Sequence, residues 1–290
     1  MSKRKVVVIG SNGQLGHDLL AEADPALWDV TALTRADFDV CDSAAASAKL
    51  EALRPDLVID LAAFHKTDLC EDQPGPTFAV NATAAHALAG EAARLGAGFV
   101  YVSTDYVFSG LEPTPRVETD LCAPQGIYGL SKFAGERLVA GANSNATIFR
   151  VSGLYGVAGA SGKGGNFVET MLRLARDGKP LRVVNDQVLT PTFTVDLAQM
   201  IWRVLAVGQP GTYHCTSSGE CSWYDFAAEI FRQAGLSVAL SPQSTVESGA
   251  KAPRPAYSVL DNKALRALGL SDMRPWQSAL ADYLSRKHGL

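Results

Sequence analysis

A glycine-spaced turn does most to limit how this chain can fold. Gly10-Ser11-Asn12-Gly13-Gln14-Leu15-Gly16 follows the apolar run 6–9 and opens a segment of helical period, 14–23. An unbroken apolar run of this length reads as a strand buried on both faces, because helices cover a parallel sheet above and below. Gly10 permits a tight turn, Gly13 lets backbone approach a pyrophosphate, and Gly16 allows helix and strand to pack closely. Free N–H groups at the helix start then face the anion. A glycine pattern alone is a weak signal; between a strand and a helix it reads as a dinucleotide cradle.

Runs around 58–59, 99–102 and 146–149 repeat the strand pattern, separated by helical segments at 45–53, 77–95 and 131–140. Strand–helix–strand repetition predicts an α/β chain with a Rossmann doubly wound parallel sheet, whose strand ends form one ligand-binding edge. Beyond Arg150 the texture changes. Residues 153–165 are rich in Gly, Ser and Ala and read as a loop or lid. Helices are expected at 166–176, 195–205, 223–233 and 276–285, with a short strand at 181–184. The expected organisation is an NAD(P)-binding Rossmann domain over residues 1–150, to which 181–205 return. Residues 151–290 make a smaller C-terminal substrate-binding lobe.

Composition narrows the function. The 290 residues carry a formal net charge of −4, without the basic footprint that nucleic acid requires. Only four apolar residues follow the basic start before Gly10, too few for a signal segment or a membrane span. Five cysteines, odd in number and without a C-x-x-C pair, read as reduced thiols of a cytoplasmic protein. No His, Cys or carboxylate cluster has metal-ligand spacing, so no built-in metal is expected.

The second strand, near 29–33, should end at the adenosine ribose. Chains selective for NADH place an acidic residue there; this one has Thr34-Arg35. An arginine can meet a 2′-phosphate bidentately, which favours NADPH, although Asp37 and Asp39 follow closely and a shifted strand end reverses the preference. The third strand ends in Asp60-Leu61-Ala62-Ala63-Phe64, where small residues let a flat ligand lie against the backbone. The G-x-x-G-x-x-G spacing, in place of G-x-G-x-x-G, points to the short-chain reductase branch of dinucleotide folds.

Tyr128-Gly129-Leu130-Ser131-Lys132 puts a phenol and an ammonium on one helix face. A neighbouring Lys⁺ is expected to pull the tyrosine pKa of about 10 toward the working range. Reduction of a ketone needs a hydride, which a nicotinamide supplies, and a proton, which Tyr128 can supply. Lys132 can also hold the nicotinamide ribose. Thr104, at the end of the fourth strand, can donate to the substrate carbonyl.

These pieces resemble the dTDP-4-dehydrorhamnose reductases, of the extended short-chain dehydrogenase/reductase superfamily, nearly end to end. The matching residues include Gly13-Gln14-Leu15-Gly16, Ala62-Ala63-Phe64 with Asp68 and Glu71, Val80-Asn81, Ser103 to Phe108, and Tyr128 to Lys132 with Gly135-Glu136. Later come Arg150 with Ser152, Asn166-Phe167, Asp186-Gln187 with Pro191-Thr192, and Arg254-Pro255 with Ser258 and Leu260. The resemblance implies reduction of the C4 ketone of a dTDP-6-deoxy-4-hexulose to dTDP-L-rhamnose, with Thr104, Tyr128 and Lys132 catalytic. It implies that Gly13, Gln14, Leu15, Asp39, Val40, Ala63, Phe64 and His65 line the cofactor. Thr104, Asp105 and Val107 would touch the sugar, and Asn166, Phe167 and Arg254 would hold the nucleotide. A homodimer, with Mg²⁺ bridging it as in some relatives, is compatible with the sequence, but no ligands can be named.

Three positions depart from the family pattern. Ser152-Gly153-Leu154-Tyr155 replaces Ser-Trp-x-Tyr, Leu189 stands where a glycine is usual, and His65 stands where threonine is frequent. Two competing readings stay open. An epimerase or dehydratase shares the fold and the Tyr/Lys pair, but a dehydratase needs an Asp-Glu pair after the threonine, and Tyr106 follows Asp105 here. A non-catalytic cofactor-binding protein, resembling the regulatory subunit of methionine adenosyltransferase, would suit a sugar pocket degraded at Gly153.

Overall fold

The computed structural model describes residues 3–158, 165–178 and 180–290. Six parallel strands form the central sheet: β1 (Arg4–Ile9), β2 (Trp28–Leu33), β3 (Leu57–Asp60), β4 (Gly98–Thr104), β5 (Ala146–Val151) and β6 (Gly211–His214). Their order across the sheet is β6-β5-β4-β3-β1-β2. The longer helices are α1 (Gln14–Glu22), α2 (Ser43–Leu53), α3 (Ala85–Arg94), α4 (Ile127–Ala142), α5 (Phe167–Arg176), α6 (Thr194–Val207), α7 (Trp223–Gln233) and α8 (Trp276–His288).

The alternation of a strand explains the layers. Val6 and Val8 turn to one face, where Leu19 of α1 and Ile201 of α6 meet them. Val7 and Ile9 turn to the other, against Leu50 of α2, Leu88 of α3 and Val139 of α4. All four are 2% exposed or less, so β1 has no solvent face and needs no polar residue. After β1 the chain steps to β2 on one side and then to β3 on the other. The crevice between the β1 and β3 ends is thus the point where the winding reverses, and ligands bind at such points. Gly10 follows β1 there, and Leu61-Ala62-Ala63 follows β3.

A second core lies beside the sheet. It gathers Tyr155, Phe193, Phe226, Tyr283 and their neighbours under α5, α7 and α8. Tyr155 stacks on Phe193 at 5.7 Å and meets Tyr283 edge-on at 5.3 Å.

The structure departs from the sequence reading in several places. The segment 77–95 is not one helix. Pro74–Phe78 is α-helical, Ala79–Ala84 forms a π-turn, and only then does α3 begin. Residues 211–214, assigned above to the substrate lobe, form β6 and pair with β5. Of 181–205, only α6 packs on the sheet through α1; Leu181–Val184 pairs instead with Leu240–Gln243 beside the second core. Within the expected loop 153–165, Leu154–Tyr155 pairs with Thr192–Phe193, while 159–164 lie outside the described residues.

Candidate active site

A cavity of 1380 Å³ opens along the sheet edge. Pockets for one drug-sized ligand usually occupy about 300–1,000 Å³, so this volume has room for two ligands side by side. Its walls come from the β1 turn, the β2 and β3 ends, the β4 end, α4 and the second lobe.

At the β1 end, Gly10 adopts φ +77°, and its N–H and that of Ser11 both donate to Leu33 O, which ties the turn to β2. A Cβ at Gly16 would lie 2.7 Å from Ser11 Cα, so only glycine allows α1 to start this close. Gly13 sits at the N-cap without a side-chain cap, which leaves the first N–H groups of α1 free for an anion. Gln14 Oε1 is buried without a partner while its amide donates to Leu154 O at 3.2 Å. A bare helix start, a backbone cradle and an orphaned buried acceptor in one cavity fit a dinucleotide. Gln14, Leu15, Arg35, Asp39, Val40, Ala62, Ala63, Phe64 and His65 line the same cavity.

At the β4 end, Thr104 and Tyr128 line the cavity together, and the Thr104 hydroxyl pulls the Tyr128 pKa down against the effect of burial. Thr104 donates to Asp105 Oδ1 at 2.8 Å and accepts from Tyr106 N at 3.2 Å. Its hydroxyl is thus tied to Asp105 and to the backbone of the turn that follows. Asp105 is buried and also accepts from Ser152 Oγ at 2.8 Å. Burial pushes its carboxyl up, against the hydrogen bonds of Ser258, Ser152 and Thr104.

Lys132 does not act on Tyr128 as expected. Its ammonium sits 3.9 Å from the Tyr101 ring centroid and in the field of Asp60. Burial holds its pKa below the usual lysine range, with Asp60 pulling the other way, and burial raises the Asp60 carboxyl in turn. Burial also pushes the Tyr128 phenol up, so it stays protonated at neutral pH. A group that must donate a proton loses nothing by this.

The π-turn sets the helix that carries both residues. Asn81 accepts from Phe64 N at 2.8 Å, and its amide donates to Phe64 O at 2.9 Å and Ser131 Oγ at 3.0 Å. Ser131 passes the link to Tyr128 O at 2.8 Å, and Tyr101 donates to Asn81 O at 2.5 Å. Asn81 thus joins the β3 loop to α4; turns of this type recur at functional sites. The short helix Thr67–Asp72 adds a brace. Glu71 Oε1 accepts from Ile127 N at 2.8 Å, capping α4, whose own N-cap Gly126 has no side chain. Asp68 accepts from Ala252 N at 3.0 Å and pairs with Arg254 at 3.2 Å, and Asp72 pairs with Lys251.

Glu71→Ala is expected to cost about 1 kcal/mol, as a lost cap does, and to lower kcat severalfold with the KM for the dinucleotide unchanged. Glu71→Gln, which keeps an acceptor oxygen, should restore most of both. Chemical denaturation and steady-state kinetics check this; equal losses in both variants would count against capping.

Two expected substrate residues do not line the cavity. Val107 is fully buried, packed with Phe108 and Leu260, and does not reach the cavity. It follows Asp105 on a single 3-10 turn, and that turn points it inward. Arg254 pairs with Asp68 while its buried Nε has no partner, and the next residue, Pro255, lines the cavity. Asn166 and Phe167 do line the cavity. The Asn166 side chain is spent on structure, capping α5 at Glu169 N and donating to Gly156 O and Tyr283 Oη. Phe167 packs against Trp223 at 4.6 Å. Sequence reasoning missed Asp60, Tyr101 and Trp223 as site residues, because only the fold brings them there. Among the described residues, no group of three or more His, Cys, Asp or Glu side chains could hold a metal ion, and no helix is long and apolar enough to cross a membrane.

Comparison with known proteins adds an independent line. The family described as RmlD substrate binding domain matches residues 4–288. The spore coat polysaccharide biosynthesis protein SpsK of Bacillus subtilis is 41% identical over 283 residues, covering 98% of each chain. A dTDP-4-dehydrorhamnose reductase of Mycobacterium tuberculosis is 37% identical over 287 residues, covering 97% of this chain and 92% of that one. The crystal structure of dTDP-4-dehydrorhamnose reductase from Bacillus anthracis in complex with NADP superposes with a TM-score of 0.94 at 36% identity, covering 98% of this chain and 100% of that one.

Proposed function

The chain belongs to the RmlD substrate binding domain family, and from that membership we propose that it reduces dTDP-4-dehydrorhamnose to dTDP-L-rhamnose with NAD(P)H. It is an oxidoreductase acting on a CH–OH group, as its named relatives are. One observation carries the assignment of roles: Thr104, Tyr128, Lys132 and the α1 cradle line a single cavity.

The nicotinamide, when bound, supplies the hydride to C4. Gly10, Gly13 and the start of α1 would hold the pyrophosphate, and Lys132, which lines the same cavity, would hold the ribose. Tyr128 binds the ketone oxygen and gives it the phenolic proton. Thr104 stands beside the phenol on the same cavity wall, held by Asp105, which in turn accepts from Ser152. A phenol kept protonated by burial suits the reductive direction. Absence of an acid after Asp105 counts against a dehydratase, and intact Thr104, Tyr128 and Lys132 count against a purely regulatory role. Coupled upstream enzymes can generate the keto sugar; loss of NADPH absorbance with appearance of dTDP-L-rhamnose by NMR tests the reading, and NADPH binding without turnover rejects it.

The reading extends to NADPH over NADH. Arg35 is 87% exposed and pairs with the half-exposed Asp39 at 2.9 Å. A surface pair of this kind is worth about 0–1 kcal/mol, so Arg35 can exchange Asp39 for a 2′-phosphate at little cost. Arg35→Ser should lower the NADPH/NADH ratio of kcat/KM about tenfold, the scale of one charge-assisted bond. An unchanged ratio would hand discrimination to Asp39 as a ribose acceptor. No disulfide joins the five cysteines, which fits a reducing cytoplasm.

A further inference from the structure

We infer that Leu189 is a specificity-determining residue: seated against Gly153, it forms an apolar wall beside the reacting carbon that selects a methyl over a hydroxymethyl at the adjoining ring position. The inference rests on the reductase reading above.

Two of the sequence's departures from the family pattern, at 153 and 189, meet in space. Gly153 adopts φ +56°, and a Cβ built there would lie 2.8 Å from Leu189 Cδ1, 3.1 Å from Pro191 Cα and 3.3 Å from Thr190 O. Leu189 already fills the volume into which a side chain at 153 would grow. The two changes are therefore one exchange of bulk between facing segments.

The place of this contact matters. The β4–β5 register sets Thr104 opposite Val151, and Ser152 bonds Asp105. Gly153 is thus one residue beyond the polar cluster that orients Tyr128. Leu189 is held from the other side. Val188-Leu189 pairs antiparallel with Cys221-Ser222, and the Val188 backbone bonds Ala256 O and Ser258 N at 2.8 Å each. The side chain is 4% exposed and lines the cavity together with Phe167 and Trp223. It is rigid, and it offers no polar atom.

In a 4-keto-6-deoxyhexose the ketone is flanked by C3, which carries a hydroxyl, and C5, which carries a methyl. An apolar wall takes the methyl side, since a hydroxyl buried there finds no partner.

The test compares kcat/KM for the dTDP-4-keto-6-deoxyhexose with that for its counterpart retaining the 6-hydroxyl. Wild type should prefer the deoxy sugar by about tenfold or more, the range that apolar pockets reach. Leu189→Ser should narrow the preference to about threefold or less, and Leu189→Val should keep it. Gly153→Trp alone should lose about a hundredfold in kcat/KM, because the indole and Leu189 claim one volume and φ +56° strains any side chain there. Gly153→Trp with Leu189→Gly should regain about tenfold of that loss. Fluorescence titration with NADPH checks that each variant still binds cofactor. Turnover by wild type with a preference unmoved in Leu189→Ser overturns the inference alone. Wild type that binds NADPH and reduces neither sugar overturns the reductase reading, and this inference with it.

Discussion

Tyr128→Phe is expected to lower kcat about a thousandfold, within the range that general acid catalysis contributes, while NADPH binds as before. The phenyl ring keeps the edge-on contact with Tyr106 at 5.7 Å, so only the hydroxyl is lost. No neighbour can replace its proton. Thr104 spends its hydrogen on Asp105, and Lys132 lies over the Tyr101 ring. Rapid-mixing measurement of NADPH oxidation, beside fluorescence titration of binding, checks both halves. A fall of less than about tenfold would remove Tyr128 from the role of proton donor.

The second large effect concerns a buried ion pair one helical turn past Lys132. Glu136 on α4 accepts two bonds from Arg150 on β5, at 2.9 and 2.8 Å, with both side chains under a tenth exposed. Arg150 also donates to Glu118 O at 3.3 Å and lies 3.4 Å from His214 Nε2. His214 Nδ1 faces the carbonyls of Arg116 and Asp261, which assigns the proton to Nδ1 and leaves Nε2 to accept. Burial, then Arg150, pushes the His214 pKa down to about 3, so the imidazole stays neutral beside the guanidinium. Glu136→Ala strands the Arg150 charge and should cost about 3–5 kcal/mol, lowering Tm by about 10 °C in a chain of this size. Glu136→Leu with Arg150→Met should recover most of that, because no uncompensated charge remains. Calorimetry of the three proteins decides it. A double variant as unstable as the single would show that packing, not the stranded charge, sets the cost.

The parts of this molecule that are legible in the sequence are those encoded by near neighbours. β1 reads as a strand because Val6 to Ile9 are apolar without a break, and burial on both faces is what such a run requires. Gly10 to Gly16 and Tyr128 to Lys132 are legible for the same reason: each spacing acts within one turn or one helix face. The failures are contacts between distant segments. β6 carries Gly211-Thr212-Tyr213-His214, too mixed to announce a sheet strand, and it joins the edge because Arg150 and Phe149 meet His214 and Tyr213 across β5. The π-turn is invisible because Ala79 to Ala84 keep an ordinary helical composition. Spacing alone predicts that Lys132 acidifies its neighbour, but Tyr101 and Asp60, from two other strands, surround its ammonium. The Arg254 guanidinium, similarly, is claimed by Asp68.

The brace formed by Thr67–Asp72 has a mechanical meaning. Six helical residues span only about 9 Å, and this stub is bolted at Glu71 to the beginning of α4 and at Asp68 and Asp72 to the 251–254 stretch. So short a strut has no slack to absorb a shove. Arg254, 186 residues downstream of Asp68, thereby shares one six-residue helix with the cap of the phenol's own helix, so residues 251–254 and the start of α4 keep their places through a single common support.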